Sequence, residues 1–365
     1  MMKTKKNIYF IYLDAFSNTG GIEEFNKKII QSFENIIEKN DFDNYRINII
    51  SIYDENFHYN PINKNINFVG YSGNRFKAVF EIIKKVEKKD IIFFGHINLL
   101  PLAILNNIIN GVKKIFFSIY GIEVWKKFNF LESRFLKKFS FLSISNFTKN
   151  EFSKNSGVSA KNIQIFPCCI EMVKNEKSIK NPYKQSDFNV LTVSRLSSND
   201  TYKGIDHVIQ ALPLIIKKIP NIKFTIIGKG DDKLRLKKIC TKLKVNEYVD
   251  FRGYVEKLDP YYKFCDLFTL PSKNEGFGIV FLEAMQYKKP VLSCNSGGSL
   301  DVIKNNETGF HSIYGDLDSI NDMILFIHNN KEHATTIGNS GYKHLMQNFT
   351  FKNFQDRLER ILKTL

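Results

Sequence analysis

The chain has 365 residues, of which 43% are hydrophobic, 25% charged and 14% aromatic, with 20 glycines and 9 prolines. This composition excludes collagen-like, low-complexity and disordered classes, and the length favours two domains that each bury a core. The 53 basic and 37 acidic residues give a net charge of +16, which points to anionic partners. Lysines that only solvate the surface explain such an excess equally well.

The five cysteines form no C-x-x-C pair and are odd in number, so the sequence indicates neither a disulfide framework nor a zinc site. This usage fits a reducing compartment and predicts a cytoplasmic protein. The lysine-rich start leads into the short apolar run 8–13, which is typical of a first strand rather than of a signal peptide.

Short β-rich runs alternate with helical patterns along the chain. Strands are predicted near 7–13, 46–52, 91–95, 114–119, 141–145, 189–194, 222–227, 266–270 and 290–293. Helices are predicted over 22–35, 76–88, 204–218 and 231–243. The alternation predicts an α/β fold with two parallel sheets covered by helices. Residues 172–187 lack apolar periodicity and indicate a linker between the two halves.

Ligands of open parallel sheets bind at the carboxyl ends of the strands, so the loops there are the candidate sites, in a cleft between the two domains. Gly20 and Gly21 lead from the first strand into a helix N-terminus that can hold an anion, although a glycine pair is also plain turn chemistry. The dinucleotide fingerprint G-x-G-x-x-G is absent there and at Gly228-Lys-Gly230, which disfavours a nicotinamide dehydrogenase.

In the second half, a strand ends at Arg195 and Lys203 opens a helix eight residues later. The stretch 266–290 then contains a legible strand, loop and helix, with Glu275 at the helix mouth and Glu283 within an almost wholly apolar helix. Glu275 is either a site residue or a first-turn acid favoured by the helix dipole. A buried Glu283 needs donors, which are either a bound polyol or a buried Tyr or backbone N–H.

Metal binding is disfavoured. The pattern Asp-x-Asp occurs at Asp41-Phe-Asp43 and at Asp316-Leu-Asp318, but neither follows an apolar strand, and the histidines have no metal-binding spacing.

Several motifs occur in one order along the chain: Ser194-Arg-Leu, Lys203-Gly, Ile227-Gly-Lys-Gly230, Phe251-Arg-Gly-Tyr254, Leu270-Pro-Ser272, the E-x7-E pattern Glu275 to Glu283, and Ser296-Gly-Gly298. In this order they resemble the retaining glycosyltransferases of family 4, which have the GT-B fold. In the first half, Gly20-Gly-Ile-Glu23, His96, Ser145-Asn-Phe-Thr148 and Phe166-Pro-Cys-Cys-Ile-Glu171 are similar to the family's pattern. Tyr120 departs from it, because many members carry a His there.

The resemblance implies two Rossmann-like domains that face a central cleft. The first would be an acceptor-side domain over 1–175, joined by a linker at 176–187 to a nucleotide-sugar domain over 188–345. A C-terminal helix over 346–365 would cross back to the first domain.

The resemblance also implies retaining, metal-independent transfer of a hexose from a UDP- or GDP-sugar to a glycan or lipid-linked acceptor, without a cofactor, in bacterial surface polysaccharide or lipopolysaccharide synthesis. The implied catalytic residues are Glu275, Arg195 and Lys203. The implied donor-binding residues are Gly20, Gly21, Gly228, Lys229, Gly276, Phe277, Gly278 and Glu283. His96 and Tyr120 would lie on the acceptor or sugar side.

Three other interpretations remain. The first is a non-catalytic nucleotide-sugar or polysaccharide-binding protein, suggested by Tyr120. The second is a nucleotide-sugar epimerase on the same fold, which the E-x7-E pattern disfavours. The third is a nucleic-acid-binding protein, suggested only by the net charge of +16; no nucleic-acid partner is expected, since no binding module is recognisable.

A peripheral membrane contact is a further expectation, because residues 126–139 are basic and carry the aromatic stripe Phe128, Leu131, Phe135 and Phe139. The stripe would lie on an anionic membrane surface or pack on the sheet of the first domain.

Overall fold

The fold is taken from a computed structural model that describes residues 6–17, 20–37, 45–61, 63–173 and 179–364. Two units divide at Cys169 and Ile170, and the chain returns to the first unit at Phe351. Each unit is built on one parallel sheet. The α/β architecture with two Rossmann-like parallel sheets is therefore confirmed.

The first unit, unit 1, contains a seven-stranded sheet in the order β3-β2-β1-β4-β5-β6-β7. Its strands are β1 (Lys6–Tyr12), β2 (Tyr45–Ser51), β3 (Ile66–Gly70), β4 (Ile91–Phe94), β5 (Lys114–Ile119), β6 (Ser140–Ser143) and β7 (Ile163–Ile165). Its helices are α1 (Gly21–Ile37), α2 (Arg75–Lys85), α3 (Leu100–Ile109), α4 (Phe130–Leu136), α5 (Asn146–Ser156) and, from the end of the chain, α12 (Phe351–Lys363).

The second unit, unit 2, contains a six-stranded sheet in the order β10-β9-β8-β11-β12-β13. Its strands are β8 (Phe188–Val193), β9 (Ile222–Ile227), β10 (Val249–Gly253), β11 (Leu267–Thr269), β12 (Val291–Cys294) and β13 (Phe310–Ser312). Its helices are α6 (Ile205–Ile216), α7 (Lys233–Leu243), α8 (Asp259–Phe264), α9 (Ile279–Gln286), α10 (Leu317–Asn329) and α11 (Lys331–Asn348).

The central strands are nearly continuous runs of apolar residues because helices cover both faces of a parallel sheet. For example, all four residues of the central strand β4 are buried. The predicted strands all occur within two residues of their expected positions. The edge strands β3, β7, β10 and β13 were not predicted from the sequence, since each is short or half-exposed.

The C-terminal helix α12 packs on α1 within unit 1. Asn35 Nδ2 donates to Gln355 Oε1 over 3.0 Å, and the rings of Phe25 and Phe354 lie 5.3 Å apart. The bounds of the units differ slightly from 175 and 346, because Ile170 still pairs with Thr350 inside unit 2. Residues 174–178 of the expected linker lie outside the described residues.

The aromatic stripe at 128–139 does not form a free face. Phe139 is fully buried, and Phe128 and Phe135 pack against the core of unit 1. Only Leu131 of the four is exposed, next to Phe130. The helix is also short, because α4 covers only seven residues. The expectation of a membrane-binding stripe at 126–139 is thus corrected: most of it faces the sheet, as in the alternative interpretation.

Within the described ranges, no helix combines the length and the apolar character needed to cross a membrane.

Candidate active site

The loops of unit 2 that carry the predicted catalytic residues meet where the strand order reverses. From β8 the chain builds outward to β9 and β10 and then returns to β11 on the other side of β8. The carboxyl ends of β8 and β11 therefore diverge and leave a crevice, which is the usual ligand position in such sheets. Arg195 and Lys203 follow β8, and Glu275 follows β11.

Lys203 and Glu275 are brought together by the structure. Lys203 Nζ lies 3.9 Å from Glu275 Oε2, and both side chains are 18% exposed. Ser272 Oγ donates a long hydrogen bond of 3.5 Å to the same carboxylate oxygen. The two charges are thus partly shielded from water and still reachable by a ligand.

The backbone around Glu275 is held from both sides. Lys273 N donates to Tyr202 O over 2.9 Å, and Gly298 N donates to Glu275 O over 2.6 Å. Gly297 has a positive φ of 80°, and a Cβ there would lie 2.9 Å from the Glu275 backbone. The loops after β8, β11 and β12 are therefore tied by their own backbones, which fixes where the Glu275 side chain begins.

The N-terminus of α9 lies directly after this loop. Its N-cap is Gly278, with φ of 92°, and it has neither a side-chain cap nor an acid in its first turn. The first N–H groups of a helix have no intrahelical acceptor and carry a partial positive charge. The predicted Gly276, Phe277 and Gly278 thus precede a helix end that is open to an anion.

Arg195 is held by a carboxylate that sequence reasoning missed. Its Nε and one terminal nitrogen lie 2.8 and 2.7 Å from Asp200 Oδ2, and Asp200 is buried. Nothing in the local pattern distinguishes Asp200 from an ordinary turn residue. The pairing orients the guanidinium, and its remaining N–H groups stay available to a ligand.

Gly228 and Lys229 follow β9, beside the loop after β8. A Cβ at Gly228, whose φ is 148°, would lie 1.8 Å from Ser194 O, so the glycine is required by the approach of these two loops. Lys229 is exposed, and its Nζ lies 5.0 Å from the ring centre of Tyr254 after β10. The structure therefore explains Gly228 by packing and leaves Lys229 and Tyr254 as an exposed pair.

Glu283 lies inside α9, as predicted, and Tyr262 of α8 donates to its Oε2 over 2.5 Å. This is the tyrosine partner of the alternative interpretation. Burial raises the pKa of Glu283 above its ordinary value, the Tyr262 hydrogen bond lowers it, and Asp259 raises it further. The second carboxylate oxygen remains for a further donor, because Tyr262 engages only one.

In unit 1, a buried carboxylate accepts the backbone N–H groups of the loop after β1. Asp54, fully buried after β2, accepts the N–H groups of Ala15, Phe16 and Ser17 over 2.6–3.2 Å. The Ser51 hydroxyl donates to it over 2.8 Å. Burial alone would raise the pKa of Asp54, but these hydrogen bonds outweigh it and the pKa lies below its ordinary value.

The nearest histidine, His58, has its Nδ1 3.5 Å from Asp54 Oδ1, and the same nitrogen accepts the N–H of Glu55 over 3.0 Å. The carboxylate is thus stabilised mainly by backbone N–H groups, an arrangement that sequence reasoning missed because its partners lie 37–39 residues away.

Two more carboxylates occupy backbone N–H groups of unit 1. Glu123 Oε1 accepts from Tyr120 N and Gly121 N over 2.6 and 2.9 Å after β5. Glu23 folds back over the start of α1, so that a Cβ at Gly20 would lie 2.3 Å from its Oε2. Burial raises the pKa of Glu23, its own N–H lowers it, and Asp14 raises it again. An anion at Gly20 and Gly21 would therefore have to displace Glu23.

His96 and Tyr120 follow β4 and β5, with ring centres 6.5 Å apart. The Tyr120 hydroxyl is buried and lies 2.9 Å from Gly95 O and 3.0 Å from Asn26 Oδ1, so it points into unit 1. His96 Nδ1 accepts from Asn98 N over 3.0 Å, which places the proton of a neutral ring on Nε2. Burial lowers the pKa of His96, so the ring presents an N–H donor.

The two Asp-x-Asp patterns of the sequence lie at 41–43 and 316–318. Asp316 caps α10 through Ser319 N, and Asp41 and Asp43 lie outside the described residues. In the part of the chain that the structure describes, no group of three or more His, Cys, Asp or Glu side chains is placed to hold a metal ion.

The fold is that of the GT-B structures, a class of α/β proteins with two Rossmann-like units. The crystal structure of HepE from Anabaena in complex with UDP and glucose superposes with a TM-score of 0.79 at 18% identity, over 99% of this chain and 100% of HepE. Residues 173–344 match the family described as glycosyl transferases group 1, and this region includes Arg195, Lys203, Glu275 and Glu283.

Curated relatives match less than half of the chain. The capsular polysaccharide biosynthesis glycosyltransferase CapM of Staphylococcus aureus is 30% identical over 163 residues, 44% of this chain and 43% of CapM. A GDP-mannose-dependent α-(1-6)-phosphatidylinositol monomannoside mannosyltransferase of Mycobacterium tuberculosis is 30% identical over 159 residues, 41% of each chain. The chain thus spans about two fifths of the length of these relatives.

Asp54→Asn is expected to lower the free energy of unfolding of unit 1 by about 2 kcal/mol at pH 7, since an amide loses part of the charge-assisted bonding. A lowered pKa stabilises the fold above the unfolded-state pKa, and that stability is lost as the pH falls through the folded-state value. Urea unfolding of both proteins at pH 7 and at pH 3 measures the difference, which should shrink at the lower pH. The exposed Glu87→Gln, which breaks only a surface pair with Lys89, is the control.

Proposed function

We propose that the protein is a retaining glycosyltransferase of family 4. It would move a hexose from a UDP- or GDP-sugar to a glycan or lipid-linked acceptor, in the cytoplasm, during bacterial surface polysaccharide synthesis. The match of residues 173–344 to glycosyl transferases group 1 supports the transferase class. CapM, which is named for capsular polysaccharide biosynthesis, supports the role in surface polysaccharide synthesis. HepE, which was crystallised with UDP and glucose, supports a nucleotide-sugar donor.

One observation carries the proposal: the open N-terminus of α9 follows the loop in which Glu275 pairs with Lys203, at the switch point of unit 2, and Arg195 follows β8 at the same edge of the sheet. As the bond between sugar and phosphate breaks, negative charge grows on the diphosphate. Helix N–H groups and two cations can meet that charge without a metal ion. We therefore place the donor diphosphate at this helix end.

The other donor contacts follow from this placement. Glu275 would orient the sugar hydroxyls, the amides of 276–278 would lie near sugar and phosphate, and Glu283 would accept the ribose hydroxyls. Gly228 and Lys229 would border the base. In unit 1, a donor phosphate at Gly20 and Gly21 would first have to displace Glu23.

For the chemical step we propose a same-face displacement. The bond between the acceptor oxygen and the anomeric carbon forms as the bond from that carbon to the phosphate oxygen breaks, and the leaving phosphate accepts the proton of the acceptor hydroxyl. In this step Glu275, paired with Lys203, orients the donor sugar and is not assigned as a nucleophile. His96 Nε2 is the donor that we assign to a sugar or acceptor oxygen.

A second candidate is a non-catalytic nucleotide-sugar or polysaccharide-binding protein. It is favoured by Tyr120, whose hydroxyl is engaged by Gly95 and Asn26 and so does not replace a sugar-facing histidine. Turnover separates the two candidates: binding of a UDP- or GDP-hexose without release of nucleoside diphosphate would favour the second.

Glu275→Ala and Lys203→Ala are each expected to reduce turnover by about a hundredfold, since both act on the donor at the α9 end. The assay is release of nucleoside diphosphate from whichever UDP- or GDP-hexose raises the melting temperature most. Lys217→Ala, at the far end of α6, is the matched control and should retain wild-type rates. Rates within a few-fold of wild type in folded Glu275 and Lys203 variants would contradict their assignment.

Affinity for the free nucleoside is expected to fall as the pH is lowered from 8 to 5, because the pKa of Glu283 is raised and its protonation weakens the carboxylate oxygen that would accept from the ribose. Glu283→Gln should bind more weakly at pH 8 and lose most of this pH dependence. Calorimetry with uridine and guanosine avoids the titration of phosphate. An unchanged affinity in the Gln variant would leave Glu283 as a structural partner of Tyr262.

Turnover is expected to be the same in EDTA as in Mg²⁺, since Lys203, Arg195 and the α9 N–H groups take the place of a cation in the proposed step. Rates are compared after dialysis against EDTA and after addition of Mg²⁺ or Mn²⁺. A rate that returns only with added metal would overturn the metal-independent mechanism.

A further inference from the structure

The outer face of α2 carries two phenylalanines in solvent. Phe76 is 92% exposed and Phe80, one turn further on, is 67% exposed. The inner face of the same helix buries Ala78 and Ile82 against the sheet. The exposed rings are therefore not needed to hold α2 on unit 1.

The neighbouring helix α3 extends this apolar face. None of its ten residues is charged, and Leu105, Ile108 and Ile109 are exposed while Leu102 and Ala103 face the core. Its C-cap residue Asn110 donates from Nδ2 to Ile83 O of α2 over 3.0 Å, which fixes the two helices side by side. We call the exposed side chains of these two helices the α2–α3 surface: Phe76, Phe80, Leu105, Ile108 and Ile109.

Exposed apolar side chains are distributed differently in unit 2. Among the described residues of unit 2, four α-helices each expose a single large apolar side chain: Leu214 on α6, Leu234 on α7, Phe326 on α10 and Met346 on α11. Single residues of this kind are normal for a soluble protein, whereas a contiguous patch marks an interaction site. The α2–α3 surface instead collects five exposed apolar side chains on two neighbouring helices.

The charges around the patch are mostly positive. Residues 75–114 contain eight lysines and arginines and three acidic residues. Lys77 and Lys84 are exposed on the same face of α2 as Phe80, three residues before it and four after it. Aromatic and aliphatic side chains framed by lysines are complementary to the headgroup boundary of an anionic bilayer.

We propose that the α2–α3 surface docks unit 1 on an anionic phospholipid bilayer. The apolar side chains enter the boundary between headgroups and acyl chains, and the flanking lysines contact lipid phosphates. The inference deepens the proposed function by naming a partner and rests on it for its purpose, since a lipid-linked acceptor is reached at a membrane. It replaces the stripe at 126–139, most of which packs in the core.

The test is co-sedimentation of the full chain with phosphatidylglycerol vesicles that carry no glycan. The wild type is expected to sediment at 50 mM NaCl and to be released at 500 mM. Phe76→Ala with Phe80→Ala should lower the partition coefficient at least tenfold, and Lys77→Gln with Lys84→Gln should lower it on phosphatidylglycerol but not on phosphatidylcholine. Melting temperature and donor turnover in solution verify that the variants are folded.

The matched control is Phe130→Ala with Leu131→Ala on α4, an equally exposed pair in the same unit. It should retain vesicle binding, and an equal loss in this control would overturn the assignment to α2 and α3. Absence of sedimentation in low salt would overturn the membrane partner. If the wild type instead self-associates and the α2 variant is monomeric, the patch is an interface between copies. Because the vesicles hold no glycan, each result is independent of whether the chain transfers a sugar.

Discussion

The structure depends on how the backbone N–H groups at the carboxyl ends of its parallel strands are satisfied. Loops and helix starts at this edge expose donors that no strand or helix can accept, and a buried donor without a partner is costly. Unit 1 meets them with its own carboxylates: Asp54 below the loop after β1, Glu123 after β5 and Glu23 over α1. In unit 2, the start of α9 has no such cap. At α9 these donors are therefore left for an external anion.

The same edge explains why several glycines occur in motifs that suggest ligand binding. Gly204, Gly228 and Gly297 all have positive φ, and a Cβ on each would meet the backbone of a neighbouring loop within 3 Å. Their first role is to let the loops after β8, β9, β11 and β12 touch. That contact fixes Lys203 and Glu275 at 3.9 Å. A stiff frame of this kind positions charges before any ligand arrives, so less reorganisation is needed in the reaction.

The sequence predicted the central strands well, because a strand buried on both faces is a continuous apolar run, as in Ile91–Phe94. The edge strands were not predicted, because one side of each lacks a partner strand and polar residues interrupt the run of apolar residues, as in β10. The same limit applies to the site. The spacing of Glu275 and Glu283 on a loop and a helix was legible, but the Tyr262 that bonds Glu283 comes from another helix. The stripe at Phe128 to Phe139 was amphipathic, and periodicity alone does not say which side meets the sheet.

The net charge of +16 does not say which basic residues could meet an anionic partner, and the positions of the charges bear on that question. At the switch point of unit 2, Lys203 is paired with Glu275 and Arg195 with Asp200, so these two cations are already matched without a ligand. A diphosphate there depends on directed N–H groups and oriented cations, which favour a bound geometry over a bulk negative charge. On α2, the exposed Lys77 and Lys84 flank Phe80, an arrangement that suits the extended anionic surface that we propose as partner rather than one small molecule.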